Sequence, residues 1–196
     1  MSNYEIAPLN EIKKKSVGVF CGASDTVEQR WLEIATALGR LIAQQGLVLV
    51  YGGGNLGLMG RVADSCLDCG GEVIGVITEK LKRIEVAHDG LDSLRVTPSM
   101  SERRNHMIEH SDMFVVLPGG VGTLDEFFEV LALNDLQYHS KKIGLLNAFG
   151  YYDHMLAFFE EARKEIAKAN MFWSHVQREV VLIPINYWNA KFRVVP

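Results

Sequence analysis

A glycine-rich turn at residues 118–126 carries the residue types with the clearest chemical potential. It reads P-G-G-V-G-T-L-D-E and directly follows residues 112–117, an apolar stretch typical of a buried strand. Glycines let the backbone approach a ligand closely, and the first turn of a following helix offers unpaired N–H groups and the positive end of its dipole. We therefore predict an anion site, best suited to phosphate, formed by Gly119, Gly120, Val121, Gly122 and Thr123.

Glu126 lies three residues after Thr123 in this turn. A carboxylate about one helical turn from a bound phosphate can act on the sugar attached to that phosphate. The same spacing fits a capping box, with Thr123 as N-cap and Glu126 at N3. Both interpretations can hold together, but a capping box requires no glycine turn before it, so the sequence favours a functional carboxylate.

A second glycine turn, Y-G-G-G-N-L-G-L-M-G, occupies residues 51–60. Its G-x-G-x-x-G spacing suggests a dinucleotide site with Glu79 as ribose partner, but such a site follows the first strand of its sheet, whereas this turn follows the second. We instead predict that Gly53 and Gly54 bring the backbone close to the ligand's sugar or phosphate. The structural alternative is tight packing between strand and helix.

The sequence M-S-E-R-R at residues 100–104 opens a predicted helix after Pro98. Adjacent arginines near a helix N-terminus are electrostatically unusual, because that end is already positive. Arg103 can bind a phosphate or hold Glu126 by a bidentate contact. Taken alone, the pattern favours a solvated arginine pair with Glu102 as a surface partner.

Two further patterns suggest metal or redox chemistry but lack the right context. Residues 106–110 spell H-x-x-E-H, a zinc-protease pattern, yet the predicted helix ends there and no obvious third ligand follows. Cys66 and Cys69 form a C-x-x-C pair near a helix end, whereas a redox pair lies at a helix start. We predict no metal at either pattern.

Strands and helices alternate along the chain. The predicted strands are residues 16–21, 47–51, 73–77, 94–96, 112–117, 142–146 and 180–183, and the predicted helices include residues 58–69, 99–110, 123–136 and 152–169. Residues 79–91 are polar and irregular, which predicts a surface loop or short helix. Repeated β-α units indicate an α/β fold, a Rossmann-like doubly wound parallel sheet with helices on both faces. Ligands of such sheets bind at the carboxyl ends of the strands, where both glycine turns lie.

Composition narrows the class of protein. The chain has 196 residues, of which 48% are hydrophobic, and fits a polar tail at residues 1–14 and a single nucleotide-binding domain at residues 15–196. The net charge of −4 and the absence of clustered Lys and Arg argue against nucleic acid as a partner. No run reaches membrane-spanning length, so we expect a cytoplasmic protein. Its three cysteines, an odd number, are expected to be reduced thiols.

The two glycine motifs, with Met100-x-x-Arg103 between them, resemble the LOG (LONELY GUY) family of cytokinin riboside 5′-monophosphate phosphoribohydrolases. The resemblance covers about residues 15–152, including C-G-A-S at residues 21–24. It implies a dimeric or larger Rossmann-like enzyme without a cofactor. Its substrates would be adenine-type nucleoside 5′-monophosphates, hydrolysed at the N-glycosidic bond to free base and ribose 5-phosphate. Family members have been labelled lysine decarboxylases, but no cofactor-binding pattern here supports that label.

Matching the family motifs gives each site residue a role. The resemblance implies that Arg103 and Glu126 are catalytic. It also implies that the substrate is bound by the glycine turn at residues 118–123, called the phosphate loop from here on, together with Ser24, Gly53, Gly54, Met100 and Arg104. Two departures bear on the base. Ser101 and Arg104 replace the family's usual His and Lys, and residues 137–142 read Q-Y-H-S-K-K where the family has Q-L-G-x-H-x-K-P. Base preference, including any N6-prenyl group, is therefore open.

The implied chemistry agrees with these residues. Cleavage of a ribosyl C–N bond builds positive charge on the sugar, which Glu126 would stabilise while Arg103 orients it. This reaction needs no metal. The alternative is a non-catalytic carrier, similar to the molybdenum cofactor carrier proteins that also resemble this family. A carrier of an anion gains little from a nearby carboxylate, so the Arg103–Glu126 combination favours an enzyme.

The helix after Thr123 also predicts self-association. Its apolar residues exceed what packing on one sheet face needs, which predicts at least a homodimer. They are Leu124, Phe127, Phe128, Val130, Leu131, Leu133 and Leu136.

Overall fold

A computed structural model of the protein describes residues 14–165 and 180–182. The strands are β1 (Ser16–Phe20), β2 (Val48–Tyr51), β3 (Glu72–Thr78), β4 (Ser93–Thr97), β5 (Met113–Val116), β6 (Lys142–Leu145) and β7 (Val180–Leu182). The helices are α1 (Gln29–Gln44), α2 (Gly57–Leu67), α3 (Glu79–Ile84), α4 (Met100–Glu109), α5 (Val121–Asp135) and α6 (Asp153–Glu165), with a 3₁₀ turn at Ala148–Gly150.

All seven described strands form one parallel sheet in the order β4-β3-β2-β1-β5-β6-β7. Successive strands add on one side of β1 up to β4, and β5 then returns to pair with the other side of β1. One core cluster packs α1 and α2 on the sheet, and the other packs α4, α5 and α6 on it. The predicted doubly wound parallel sheet is therefore confirmed.

The sheet is buried on both faces, which explains its uninterrupted apolar strands. Within β1, Val17 and Val19 belong to the cluster on the α1 side, whereas Phe20 belongs to the opposite cluster. Phe20 stacks on Phe114 of β5 at a centroid distance of 5.4 Å. Residues that alternate along a strand point to opposite faces, so a strand covered on both sides needs apolar side chains throughout.

The start of α5 differs from the prediction. The helix begins at Val121, and Gly120 is its N-cap in an extended conformation, so Thr123 lies at N3 and Glu126 one turn further in. The predicted capping box is therefore wrong. The glycines allow the chain to enter the helix directly from the turn, and among the described residues no side chain caps α5. A cap does occur at α4, where Ser99 Oγ accepts the N–H of Glu102 at 3.2 Å.

Other predicted features fall near their expected places. The polar segment at residues 79–91 contains the short helix α3, and Cys66 lies in the last turn of α2. The three cysteines are free, with Cys21 and Cys66 buried and Cys69 exposed. Predicted helical residues 166–169 and the predicted strand end at Ile183 lie outside the described residues, as does most of the predicted tail.

The apolar residues of α5 divide between the core and the surface. Phe127, Val130 and Leu131 are buried, and Leu124 and Leu133 pack partly against the same core. Phe128 and Leu136 remain 40% and 65% exposed. The homodimer stays a prediction that rests on these two residues.

Within residues 14–165 and 180–182, no helix has the length and apolarity needed to cross a membrane. The cytoplasmic location and the single-domain boundaries stay predictions.

Candidate active site

A cavity of about 630 Å³ opens at the carboxyl ends of β1 and β5, the neighbouring strands at which the sheet order reverses. Its volume lies within the range of roughly 300–1,000 Å³ that is usual for small-molecule sites, and its position is where doubly wound sheets bind ligands. Eight predicted site residues line it: Ser24, Met100, Arg103, Gly119, Gly120, Gly122, Thr123 and Glu126.

Arg103 and Glu126 form a buried ion pair at the wall of this cavity. Nη1 of Arg103 donates to Oε1 of Glu126 at 2.7 Å. The same guanidinium donates through Nε to the carbonyl of Val76 at 2.8 Å and through Nη2 to that of Gly52 at 3.5 Å. The hydrogen bond to Glu126 involves Oε1 alone, so the predicted bidentate contact is replaced by a single charge-assisted bond. Three hydrogen bonds thus hold the Arg103 guanidinium, and one of them fixes Oε1 of Glu126.

Burial governs the electrostatics of Glu126. It raises the pKa of this carboxyl, whereas the charge and hydrogen bond of Arg103 lower it, and the negative charges of Glu85 and Asp125 raise it further. A buried carboxylate is tolerated only when a cation compensates it. The Arg103 guanidinium therefore keeps an ionisable carboxyl in a site that otherwise favours its neutral form.

Hydrogen bonds from neighbouring segments hold the backbone of the phosphate loop on the side that faces the protein interior. The N–H of Gly22 donates to the carbonyl of Pro118 at 3.0 Å, and the Tyr151 hydroxyl donates to that of Gly119 at 2.9 Å. A Cβ on Gly119 would lie 2.1 Å from Oγ1 of Thr123, so only glycine fits there.

The opposite side of the loop is open. Cβ atoms at Gly120 or Gly122 would meet nothing within 4 Å. The first bond within α5 runs from the N–H of Leu124 to the carbonyl of Gly120 at 3.1 Å, so the N–H groups of Val121, Gly122 and Thr123 precede the helical ladder. This geometry leaves the helix N-terminus available to an anion.

Four predicted binding residues lie outside the cavity lining: Gly53, Gly54, Val121 and Arg104. The side chain of Val121 points to solvent and is 85% exposed. Arg104 joins α4 to α5 by ion pairs with Asp125, at 3.1 Å, and with Glu129. Its charge therefore serves the packing of two helices.

Gly52, Gly53 and Gly54 of the second glycine turn pack against the site instead of lining it. A Cβ on Gly52 would lie 2.4 Å from Nη2 of Arg103, and one on Gly54 would lie 3.2 Å from Cβ of Glu85. Gly53 has a φ of +76° and lies beside Ile77 and Leu94. Gly52 and Gly54 thus make room for Arg103 and Glu85, and contact of Gly53 and Gly54 with the ligand stays a prediction.

The cavity also contains residues that motif analysis missed. Glu85, Trp31 and Tyr151 line it, as does Cys21. Burial raises the pKa of the Cys21 thiol well above its ordinary value, so it is unsuited to act as a nucleophile. Glu85 lies in the polar segment after α3, where no local pattern distinguishes it from surface carboxylates.

The remaining sequence patterns lie away from the cavity. Ligand atoms of His106, Glu109 and His110 lie within 4.8 Å of one another on α4, but none of the three residues lines the cavity. Residues 137–142, which depart from the family pattern, also lie outside the lining.

Comparison with known proteins identifies the family of this chain. The family described as possible lysine decarboxylase matches residues 59–183. A Rhodococcoides fascians protein named cytokinin riboside 5′-monophosphate phosphoribohydrolase is 47% identical over 152 residues, which are 77% of this chain and 77% of that protein. LOG3 of Arabidopsis thaliana, with the same name, is 37% identical over 174 residues, 89% of this chain and 79% of that protein. The chain belongs to the LOG family.

The fold of this LOG-family chain is also similar to that of solved molybdenum cofactor binding proteins. The molybdenum cofactor binding protein from the phototrophic bacterium Rippkaea orientalis has a TM-score of 0.62 and 28% sequence identity, covering 76% of this chain and 86% of that chain. The two groups therefore share the fold.

Proposed function

We propose that this LOG-family protein hydrolyses the N-glycosidic bond of adenine-type nucleoside 5′-monophosphates, AMP and cytokinin riboside 5′-monophosphates among them. The products are the free base and ribose 5-phosphate. The observation that carries this proposal is the Glu126 carboxylate, held by Arg103 at the wall of the cavity and close to an open helix N-terminus. The names of the relatives at 47% and 37% identity support the same reaction class.

The phosphate and the reacting sugar fit the two ends of one helix segment. Glu126 lies five positions after Val121, which corresponds to a rise of about 7.5 Å along the axis of α5. Helical side chains lean towards the N-terminus, so the carboxylate extends in the direction of the phosphate loop. A 5′-phosphate on the open side of the loop then brings C1′ of its ribose towards Glu126.

Glu126 acts on the charge that develops during cleavage. As the bond from C1′ to the base nitrogen breaks, the base leaves with the electron pair and the sugar becomes cationic. The carboxylate stabilises this cation and accepts a proton from the water that adds to C1′. Glu126 then releases this proton to solvent, and the departing base takes up a proton from solvent to give the neutral free base. Arg103 is a positioning residue, because its contact fixes Oε1 of Glu126. The phosphate supplies binding energy remote from the reacting bond.

A non-catalytic carrier is the second candidate, favoured by the similarity to the molybdenum cofactor binding protein. Both functions use an anion site at the phosphate loop. The buried Arg103–Glu126 pair favours the enzyme, because a carboxylate next to an anionic cargo weakens its binding.

The test is incubation of the purified protein with AMP and chromatographic detection of adenine and ribose 5-phosphate, with adenosine as the matched control. We expect hydrolysis of AMP and much slower hydrolysis of adenosine. Tight binding of AMP without release of adenine would support the carrier, and equal rates on both compounds would contradict the role of the phosphate loop.

A further inference from the structure

Within the part of the chain that the structure describes, Glu85 is one of three glutamates that line the cavity, with Glu28 and Glu126, and the proposed reaction does not use it. It follows the C-terminus of α3 and contributes to the cavity lining. Its Oε2 atom is buried, and among the described residues it has no hydrogen-bond partner. Leaving such an atom unsatisfied is unfavourable, so the arrangement suits a ligand that donates a hydrogen bond.

The backbone around Glu85 is held in place by the second glycine turn. The N–H of Asn55 donates to the carbonyl of Val86 at 2.8 Å, and the N–H of His88 donates to that of Gly53 at 3.0 Å. The buried His88 ring also contacts Oδ1 of Asp64 on α2 at 3.0 Å. These contacts tie the segment to the second glycine turn and to α2, so the backbone that carries Glu85 has a fixed position.

Charge limits the kind of ligand group that can meet Glu85. Burial raises the pKa of the Glu85 carboxyl, and the charge of Arg103 opposes this rise. The three hydrogen bonds of the Arg103 guanidinium go to Val76, Gly52 and Glu126, so none of them satisfies Glu85. A phosphate would be repelled by a carboxylate here. A neutral hydroxyl can donate to it without that repulsion.

The sugar of the proposed substrate supplies such a hydroxyl. Glu85 and Glu126 line the same cavity, and the negative charge of Glu85 raises the pKa of Glu126. A nucleotide with C1′ at Glu126 presents its 2′-hydroxyl on the adjacent carbon. Carboxylates commonly accept a ribose 2′-hydroxyl in nucleotide sites, and contacts to this position strengthen as the sugar becomes cationic.

We propose that Glu85 accepts a hydrogen bond from the ribose 2′-hydroxyl and thereby selects ribonucleotides over 2′-deoxyribonucleotides. This inference rests on the proposed function. It assigns the sugar specificity of the site to a residue outside the phosphate loop and outside the Arg103–Glu126 pair.

The decisive experiment compares kcat/KM for AMP and 2′-deoxy-AMP in the wild type, Glu85→Ala and Glu85→Gln. We expect the wild type to prefer AMP by about 10- to 100-fold, the usual scale for one hydrogen bond to a charged group. In Glu85→Ala, kcat/KM for AMP should fall by that factor while kcat/KM for 2′-deoxy-AMP stays unchanged, so that the ratio of the two approaches one. Glu85→Gln should recover part of the preference for AMP. Glu79→Ala, which removes an exposed carboxylate at the start of α3, is the control and should keep the wild-type ratio.

A binding measurement separates this proposal from the reaction itself. Calorimetry with ribose 5-phosphate and 2-deoxyribose 5-phosphate reads sugar recognition without turnover. A Glu85-dependent preference in a protein that hydrolyses nothing would support the recognition role and overturn the proposed function. Hydrolysis of AMP and 2′-deoxy-AMP at the same ratio in the wild type and Glu85→Ala would overturn the Glu85 role alone. Binding of neither sugar phosphate, together with no hydrolysis, would overturn both.

Discussion

Nη1 of Arg103 lies 2.7 Å from Oε1 of Glu126, and the two side chains are only 5% and 10% exposed. The pair joins α4 to α5 beside the cavity, and Arg103 also reaches the end of β3 and the second glycine turn. A charge pair this well buried ties stability to activity, because the carboxylate needed for chemistry is tolerated only beside its cation.

Replacement of Glu126 by Gln should separate folding from catalysis. The amide keeps the shape of the side chain and can still accept from Arg103, but it cannot stabilise a ribosyl cation. We expect turnover of AMP to fall by roughly 10²- to 10⁴-fold with a small change in Tm. Glu129→Gln on the same helix is the matched control, because Glu129 pairs with Arg104 outside the cavity. Near-normal turnover in Glu126→Gln would make the carboxylate structural and favour the carrier.

Removal of Arg103 should be far more damaging to the fold. Arg103→Met leaves Glu126 buried without its cation, which typically costs about 3–5 kcal/mol in the free energy of unfolding. Arg103→Met combined with Glu126→Gln should recover part of this stability but none of the activity. Urea denaturation of the two single variants and the double variant measures the coupling. Strictly additive losses would contradict the pair.

Two glycines of the phosphate loop should respond oppositely to alanine. Gly119→Ala would place a Cβ 2.1 Å from Oγ1 of Thr123, so both Tm and AMP hydrolysis should fall. Gly122→Ala meets no protein atom within 4 Å and lies in the first turn of α5, so it should preserve or raise stability by up to about 1 kcal/mol. Its Cβ enters the space assigned to phosphate, so KM for AMP should rise. An unchanged KM in Gly122→Ala would place the phosphate elsewhere.

The pH profile of kcat/KM should report the ionisation of Glu126. Activity requires the carboxylate, and burial raises its pKa above the ordinary value of 4.5, so the acid limb should lie above that pH and activity should rise as pH increases through it. Glu85 adds to this rise through its negative charge. Glu85→Gln should therefore shift the limb to lower pH, whatever its effect on the maximal rate. If the acid limb of Glu85→Gln lies at the same pH as that of the wild type, the carboxyl groups of Glu85 and Glu126 are not coupled.

The exposed apolar residues of α5 should mediate dimer formation. Phe128 and Leu136 remain 40% and 65% exposed while their neighbours enter the core. We expect a dimer mass by light scattering at micromolar concentration, and a monomer after Phe128→Glu combined with Leu136→Glu, because charges disfavour burial in an interface. A monomeric wild type would contradict this prediction.

Local patterns were sufficient for the fold, whereas prediction of the Arg103–Glu126 pair also needed the family resemblance. Apolar runs and glycine turns recur within a few residues, so they identify strands, helices and the phosphate loop without knowledge of distant contacts. The family resemblance then selected Arg103 and Glu126 from among many charged residues. These two residues meet because parallel strands bring their carboxyl ends to one edge of the sheet.

Contacts between distant segments decided the rest. Arg104 follows Arg103 directly, yet successive residues on a helix point about 100° apart, so one lines the cavity and the other joins two helices. The helix start at Val121 depends on how the glycine turn is held by hydrogen bonds from Gly22 and Tyr151. Glu85 enters the cavity because its segment pairs with the second glycine turn, about thirty residues earlier in the chain. Such pairing is set by packing across the sheet, which no local sequence pattern encodes.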